Sequence, residues 1–250
     1  MDLWKGGCLV QKIQAVKGTR DVLPEESPTW RVVERAFQDI CERFAYEEIR
    51  TPTFEYTEVF QRGVGDTTDI VQKEMYTFED RGGRSLTLRP EATAGVVRAF
   101  TEHGMGSLPF PVRLFYEISC FRAENVQSGR YREFHQLGVE AFGSDGPEID
   151  VEQILLVQLL FESLGLQHFK AHVSSIGCPN CRKEYHELLK DYFRPHLDEL
   201  CEDCQVRFEK NPLRILDCKV EHCKELSQDA PLIADHLDEP CEKHLHGVLD

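Results

Sequence analysis

Apolar residues recur at helical spacing from Ser27 onward, with Val32, Val33, Ala36, Phe37, Ile40 and Phe44 on one face. Ser27 and Pro28 supply an N-cap and a first helical position, and the pattern fades near Tyr46. Ile49-Arg50-Thr51-Pro52 is extended, because the residue before proline avoids the helical region. A second helical piece over Glu55–Arg62 leads into the loop Gly63-Val64-Gly65-Asp66. The period then changes to two. Met75–Phe78 and Ser85–Arg89 alternate around the turn Asp80-Arg81-Gly82-Gly83-Arg84, which predicts a hairpin. Pro90 ends it, and a helix from Glu91 to Phe100 follows, carrying Ala94, Val96, Val97, Ala99 and Phe100. Val112–Arg122 and Tyr131–Phe142, joined by a polar loop, predict a second and longer hairpin. Ile149–Leu164 reads as an apolar helix closed by Gly165, and Phe169–Ser174 as a further strand. After Gly177 the composition turns to cysteines, charges and helix formers. The expected organisation is an extension over residues 1–12, a core over 13–177 and a Cys-rich, mostly helical segment over 178–250. Antiparallel hairpins mixed with separate helices indicate an α+β fold.

The long hairpin carries an unusual polar face. Phe134, Gln136, Gly138 and Glu140 sit at spacing two and share one side of the strand. Arg122 ends the first strand, and Arg130 and Arg132 open the second. Arginines on a hairpin are usually solvated or salt-bridged, and Gln136 and Glu140 on their own fit the wet face of an edge strand. His135 points to the other side and is expected to pack. Glu91, directly after a proline, suits a helix N-terminus electrostatically.

Charge and composition narrow the classes. The 250 residues are 41% hydrophobic, enough for one large core or two smaller ones, and the formal net charge is −15. That balance excludes a protein that coats nucleic acid through bulk charge, while leaving room for a local basic site. Between His196 and Asp250, 14 acidic residues face 6 basic ones, so the tail holds more than half of the excess. No apolar run reaches membrane-spanning length, and the first residues contain no signal-peptide core, so a cytoplasmic location is expected. No glycine-rich phosphate loop of the common kinds occurs.

Ten cysteines without a secretory signal read as reduced thiols or metal ligands. Cys178-Pro179-Asn180-Cys181 and Cys201-Glu202-Asp203-Cys204 are two CxxC pairs separated by 19 residues. Their spacing suits a tetrahedral Cys₄ zinc site of structural type, with Cys178, Cys181, Cys201 and Cys204 as ligands. Cys218, Cys223 and His222 are alternative ligands, Cys241 is left over, and the competing reading is a set of reduced thiols in a helical segment.

Several blocks together carry a family resemblance. Phe44–Pro52, Thr68–Val71, Glu74-Met75-Tyr76, Leu86–Glu91, Gly129–Gln136, Ser174–Gly177 and Asn211–Asp217 resemble successive segments of the histidine–tRNA ligases, a family of class II aminoacyl-tRNA synthetases. The resemblance implies ATP-dependent activation of histidine to an adenylate, with Mg2+, and transfer to tRNA(His). It implies that Phe44–Pro52 is motif 1, a homodimer interface, and that the long hairpin is motif 2. On that motif, Arg122 would contact the α-phosphate and the histidine carboxylate as the catalytic cation. Arg130 would lie near the terminal phosphates, Phe134 would stack on adenine and Glu124 would sit close to it. Glu91, Thr93 and Gln136 would surround the substrate ammonium group, and Glu140 would read the imidazole. A buried carboxylate facing imidazole demands a donor, and an analogue lacking one is rejected by about 10⁴–10⁵.

The sequence departs from the family pattern at Ala92, where glycine is usual, and over Ala123–Gln127, which lacks one arginine and one proline. The family's second histidine-binding segment, its motif 3 and its anticodon-binding domain do not occur before Asp250, so the expected object is a synthetase fragment with little adenylation activity of its own. The alternative reading is the regulatory paralogue subunit of ATP phosphoribosyltransferase, which shares motif 2 but lacks the segment around Asn211–Arg214.

Overall fold

The structure, a computed structural model, describes residues 13–65, 68 and 70–250. The expected extension over residues 1–12, together with Asp66 and Asp69 of the quoted loop blocks, lies outside the described residues. Two compact units are distinguished. One takes the chain up to Arg35, Glu48–Met105 and Phe115–Glu140; the other takes Ala36–Glu47, Gly106–Leu114 and Ala141–Asp250.

Helix α1 (Ser27–Arg43) buries Phe37, Ile40 and Cys41. Val32, expected on that apolar face, is exposed instead. The Ser27 hydroxyl donates backwards to the Leu23 carbonyl at 3.1 Å. The helix ends three residues early because Ala45 adopts φ 59° and the Tyr46 amide reaches back to the Cys41 carbonyl at 2.9 Å. That six-to-one closure satisfies a terminal carbonyl and turns the chain out of the helix.

The first unit contains a three-stranded antiparallel sheet, β2 (Phe54–Tyr56), β4 (Ser85–Leu88) and β3 (Thr77–Glu79), in the order β2-β4-β3. Phe54 pairs with Leu88 and Thr77 with Thr87. Strand β2 takes the first residues of the expected helical piece, and α2 begins only at Thr57 (Thr57–Val64). The predicted hairpin turn forms as an Asx turn: the Asp80 carboxylate accepts from the Gly82 and Arg84 amides at 2.8 and 3.0 Å. Helix α3 (Thr93–Glu102) follows Pro90 and buries Ala94, Gly95, Val96 and Ala99.

The long hairpin is present as β5 (Val112–Phe121) and β6 (Glu133–Phe142), in a sheet of order β1-β5-β6 with β1 at Glu47–Glu48. Its strands are shorter at the loop end than expected, so Arg122 and Arg130 both stand just outside the ladder. Alternate positions of β5 are deeply buried, among them Leu114, Tyr116, Ile118 and Cys120. An α+β fold of two small sheets and separate helices is observed.

In the second unit, α4 (Pro147–Ser163) starts with proline in its first turn. Arg113 meets Glu152 of α4 with two contacts at 2.8 and 2.9 Å, and Tyr46 donates to the same carboxylate at 3.1 Å. Phe169–Ser174 does not form a strand. The alternation there is real, but no ladder forms along it, and a period of two without a paired neighbour leaves only extended chain. The Phe169 ring packs edge-on to Phe161 at 5.3 Å.

Beyond Gly177 the chain is helical: α5 (Pro179–Phe193), α6 (Glu202–Lys210), α7 (Glu221–Ser227) and α8 (Glu239–Leu249). Tyr185, Leu189, Phe193, Leu200, Cys204, Phe208, Ile215, Cys218, Cys223 and Ala230 form one buried cluster drawn entirely from this stretch. Among the described residues, no helix is long and apolar enough to cross a membrane.

Candidate functional site

The hairpin brings the predicted polar residues onto one side of the first unit, at two centres. At the loop end, Arg122 Nε donates to the Pro90 carbonyl at 2.9 Å, which fixes the guanidinium at the mouth of α3. Its plane lies over the Phe134 ring, 4.9 Å from the centroid. The backbone amide of Arg122 pairs with the Arg132 carbonyl at 2.8 Å, and the Arg132 amide with Gly18 O at 2.7 Å, so the Lys17–Thr19 loop clasps the hairpin there. Glu124 lies between two cations, 3.9 Å from Arg122 and 3.2 Å from Arg130. Arg130 reaches this place from the loop rather than from β6. Arg130 therefore does not share the strand face of Phe134, Gln136 and Glu140, but Glu124 draws it to the same centre. Ala123 N donates to Glu74 O at 2.8 Å, which ties the loop to the family block around Glu74.

The second centre is built around Glu140. Thr93 Oγ1 donates to Glu140 Oε1 at 2.7 Å and the Tyr116 hydroxyl to the same oxygen at 3.3 Å. Burial pushes the Glu140 carboxyl above its ordinary range and the charge of Glu91 adds to this, while the donors Thr93 and Tyr116 pull the other way. Burial likewise raises Tyr116, with the Glu140 charge second. A partly desolvated carboxylate with a raised pKa is a group poised to accept a donor or a cation. Gln136 lies between the two centres, where Cys120 Sγ contacts its Oε1 at 3.1 Å. Burial pushes the Cys120 thiol up to about 11, so it is a neutral donor at pH 7.

Glu91 takes the place that its sequence context suggests electrostatically. Its two oxygens accept from the Thr93 and Ala94 amides at 2.7 and 2.9 Å, at the positive end of α3. Arg89, inside the block Leu86–Glu91, is structural: its guanidinium donates to the Ser119, Thr51 and Pro52 carbonyls at 2.6, 2.9 and 3.3 Å. His135 stacks edge-on against Trp30 at 4.6 Å, away from this face.

Two residues of this centre escape a reading based on charge. Tyr116 is buried in β5, and Gly138 is the residue that admits it: a Cβ at position 138 would come within 2.3 Å of the Tyr116 ring and hydroxyl. The available signal was a glycine in the middle of a strand, which marks a close approach. A groove of about 1130 Å³ beside α2 and α3 is lined by Glu91 and Thr93 along with Glu55, Arg62 and Arg98. In the second unit, a hollow of about 700 Å³ between α4, residues 169–176 and α8 holds none of the expected site residues.

The cysteines do not assemble as the spacing suggests. Cys178 and Cys181 join Asp238 and Cys241, whereas Cys201 and Cys204 join Cys218 and Cys223. The expected single set Cys178, Cys181, Cys201, Cys204 is therefore divided. Each CxxC pair opens its own helix, α5 or α6, and finds its complement further along the chain rather than in the other pair.

An antiparallel hairpin floor with a buffered arginine at its loop end, set beside helices, is the architecture of a class II aminoacyl-tRNA synthetase core. The family model for histidyl-tRNA synthetase matches residues 18–180. A histidine–tRNA ligase of Acetivibrio thermocellus is 58% identical over 235 residues, covering 94% of this chain and 56% of the relative. Apo histidyl-tRNA synthetase of S. aureus superposes with a TM-score of 0.75 at 38% identity, over 95% of this chain and 54% of that one. A Bacillus halodurans structure described as an ATP phosphoribosyltransferase regulatory subunit/histidyl-tRNA synthetase gives 0.60 at 25% identity, over 96% and 64%. The chain belongs to the histidyl-tRNA synthetase family. It spans a little over half the length of the curated relatives it matches.

Proposed function

We propose that this chain carries ATP- and histidine-facing parts of a histidine–tRNA ligase, the activity being that of a full-length family member. Histidine and ATP, the latter with Mg2+, are the small substrates, and tRNA(His) is the acceptor. The histidine carboxylate attacks the α-phosphorus and expels pyrophosphate, and the charge that builds on the phosphate oxygens needs positioned cations. Arg122 supplies that charge, held by the Pro90 carbonyl and by the Phe134 ring. Arg130 faces the terminal phosphates, Glu124 and Phe134 face adenine, and Glu91, Thr93 and Gln136 face the substrate ammonium group. Glu140 accepts from the imidazole. The motif 1 stretch Phe44–Pro52 serves a homodimer in the cytoplasm. The segment from Cys178 onward is an insertion with its own buried cluster, and its metal is structural, with no open position for chemistry.

The observation that carries this reading is Glu140: a carboxylate held by Thr93 and Tyr116, raised by burial, on the strand face that leads to Arg122. The regulatory reading is weaker, because identity to the structure bearing that description is far below the identity to the ligases. Calorimetric titration of histidine and of ATP into the purified chain and into Glu140→Gln tests the assignment. Loss of a charge-assisted hydrogen bond weakens histidine by about 10-fold or more, with ATP affinity held within about twofold. Equal losses for both ligands would refute the role given to Glu140.

A further inference from the structure

Every cysteine after Gly177 belongs to one of two four-member clusters. Cys201, Cys204, Cys218 and Cys223 form one, and Cys178, Cys181, Cys241 and Asp238 the other; within each, the ligand atoms all lie within 4.8 Å of one another. We propose that these are two separate tetrahedral zinc sites, one of four thiolates and one of three thiolates and a carboxylate.

Geometry favours metal over disulfides. Zinc–sulfur bonds of about 2.3 Å in a tetrahedron set neighbouring sulfurs about 3.8 Å apart, whereas a disulfide requires about 2.05 Å. Cys201 and Cys218 Sγ are 3.8 Å apart, and Cys178 and Cys181 Sγ 3.6 Å. Asp238 Oδ2 stands 3.2 Å from Cys178 Sγ. The clusters are built to one plan. Cys178 and Cys201 are the N-cap residues of α5 and α6, and the second cysteine of each pair lies in the first helical turn. Asp238 and Cys241 stand in the same two positions on α8. Gly177, at φ 66°, lets the chain pass the Cys181 Cβ, which a side chain at 177 would meet at 2.7 Å.

The surroundings supply donors to sulfur. Backbone amides donate to it at three places: Cys201 N to Cys223 Sγ at 3.4 Å, Cys181 N to Cys178 Sγ at 3.5 Å and Asp238 N to Cys181 Sγ at 3.2 Å. Arg207 approaches Cys204 Sγ at 3.8 Å. Such donors orient and tune thiolate ligands. Four anionic ligands without a cation would repel one another in a stretch that already carries excess acid, and a divalent ion removes that conflict. Soft ligands in a closed tetrahedron select zinc among the common cellular metals. The first site joins α6 to α7, and the second joins the start of α5 to the start of α8. Both are staples for a short helical segment with a small core. This inference does not depend on the histidine-activating reading.

Metal analysis of the chain purified under reducing, chelator-free conditions is expected to find about two zinc ions per chain. Cys223→Ser and Cys241→Ser should each lower this to about one, and the double variant to near zero. Cobalt(II) reconstitution of the unaltered chain provides a reading that does not depend on variants folding. Two tetrahedral thiolate-rich centres are expected, and Asp238→Asn should shift the ligand-field bands of only one. Fewer than about 0.2 zinc per chain overturns the proposal. So does a single zinc, the appearance of disulfides in place of metal under those conditions, or a zinc content that depends on Cys178, Cys181, Cys201 and Cys204 but not on Cys218 or Cys241.

Discussion

The hairpin β5–β6 and the helical segment after Gly177 fix their polar groups by opposite means. On the hairpin, strand parity decides which residues meet, and the partners come from distant sequence: Glu140 with Thr93 and Tyr116, Arg122 with Pro90, Arg132 with Gly18. Each polar group is held by a ladder that would exist without it. In the Cys-rich segment no sheet provides such a frame. Helix α6 has nine residues and α7 seven, lengths that are marginal in isolation. The clustered cysteines and Asp238 there are themselves part of the frame, several at caps and first turns. The hairpin holds a half-buried carboxylate with hydroxyl donors alone, whereas on the zinc proposal the helical segment needs its sulfurs tied together.

The strongest way to break this contrast is to strip the zinc proposed for the two cysteine clusters. A high-affinity chelator is expected to abolish amide protection over α5–α7, because structural zinc sites contribute about 10 kcal/mol or more to small domains. Protection of β5 and β6 should persist, read by hydrogen exchange with mass spectrometry. Retained protection of α6 and α7 without metal would mean that the cluster around Tyr185, Phe193 and Ile215 suffices, and the contrast would disappear.

A smaller effect is expected inside the hairpin. Gly138→Ala places a methyl group 2.3 Å from Tyr116, which is buried and has little room to move. Overpacking of this kind costs about 1–3 kcal/mol, read as a shift in the denaturant midpoint. Because the ring must leave, the 3.3 Å bond to Glu140 is lost as well, and histidine affinity should fall with stability. Coupling of Gly138→Ala with Tyr116→Leu should be non-additive by about 1 kcal/mol or more. Additive costs would show that Gly138 acts through strand propensity alone.

The same contrast explains what was legible in the sequence. Period-two alternation and turn chemistry are local signals, so both hairpins were readable, along with the shared face of Phe134, Gln136 and Glu140. Family resemblance supplied the roles that parity could not. The strand expected at Phe169–Ser174 failed because alternation states that one face is apolar, not that a partner strand exists. Arg130 adjoins the expected strand start at Tyr131 but stands three residues before β6, since the ladder's end depends on where the Lys17–Thr19 loop clasps it. Glu55 and Tyr56 were read as helical because nothing local shows that β4 lies alongside. The cysteines group differently from the spacing expectation for a related reason. A CxxC spacing specifies a two-ligand half-site at a helix start, and which half-sites meet is decided by the fold of the whole segment. Asp238-Glu239-Pro240-Cys241 has the same spacing as the CxxC pairs, but a carboxylate in the first position hid it.

The smallest effect is a matter of pH, and it tests whether Glu140 is held against its own preference. Burial raises its folded-state pKa above the ordinary 4.5. The folded chain then binds more protons than the unfolded chain in the interval above 4.5. Stability is fully present below that value and falls as pH rises through the raised pKa. Glu152 behaves in the opposite sense. The Arg113 guanidinium holds its pKa low, so its contribution is present above 4.5 and disappears as the pH falls through the depressed value. Glu140→Gln should therefore raise the melting temperature slightly at pH 8 and leave it unchanged near pH 4. Glu152→Gln should lower it at pH 8 and converge with the parent chain at strongly acid pH. A Glu140→Gln chain that is less stable at pH 8 than at pH 4, relative to the parent, would mean that the Thr93 and Tyr116 donors outweigh burial. Glu140 would then be a satisfied structural carboxylate, and the hairpin would keep its polar groups on the same terms as Glu152.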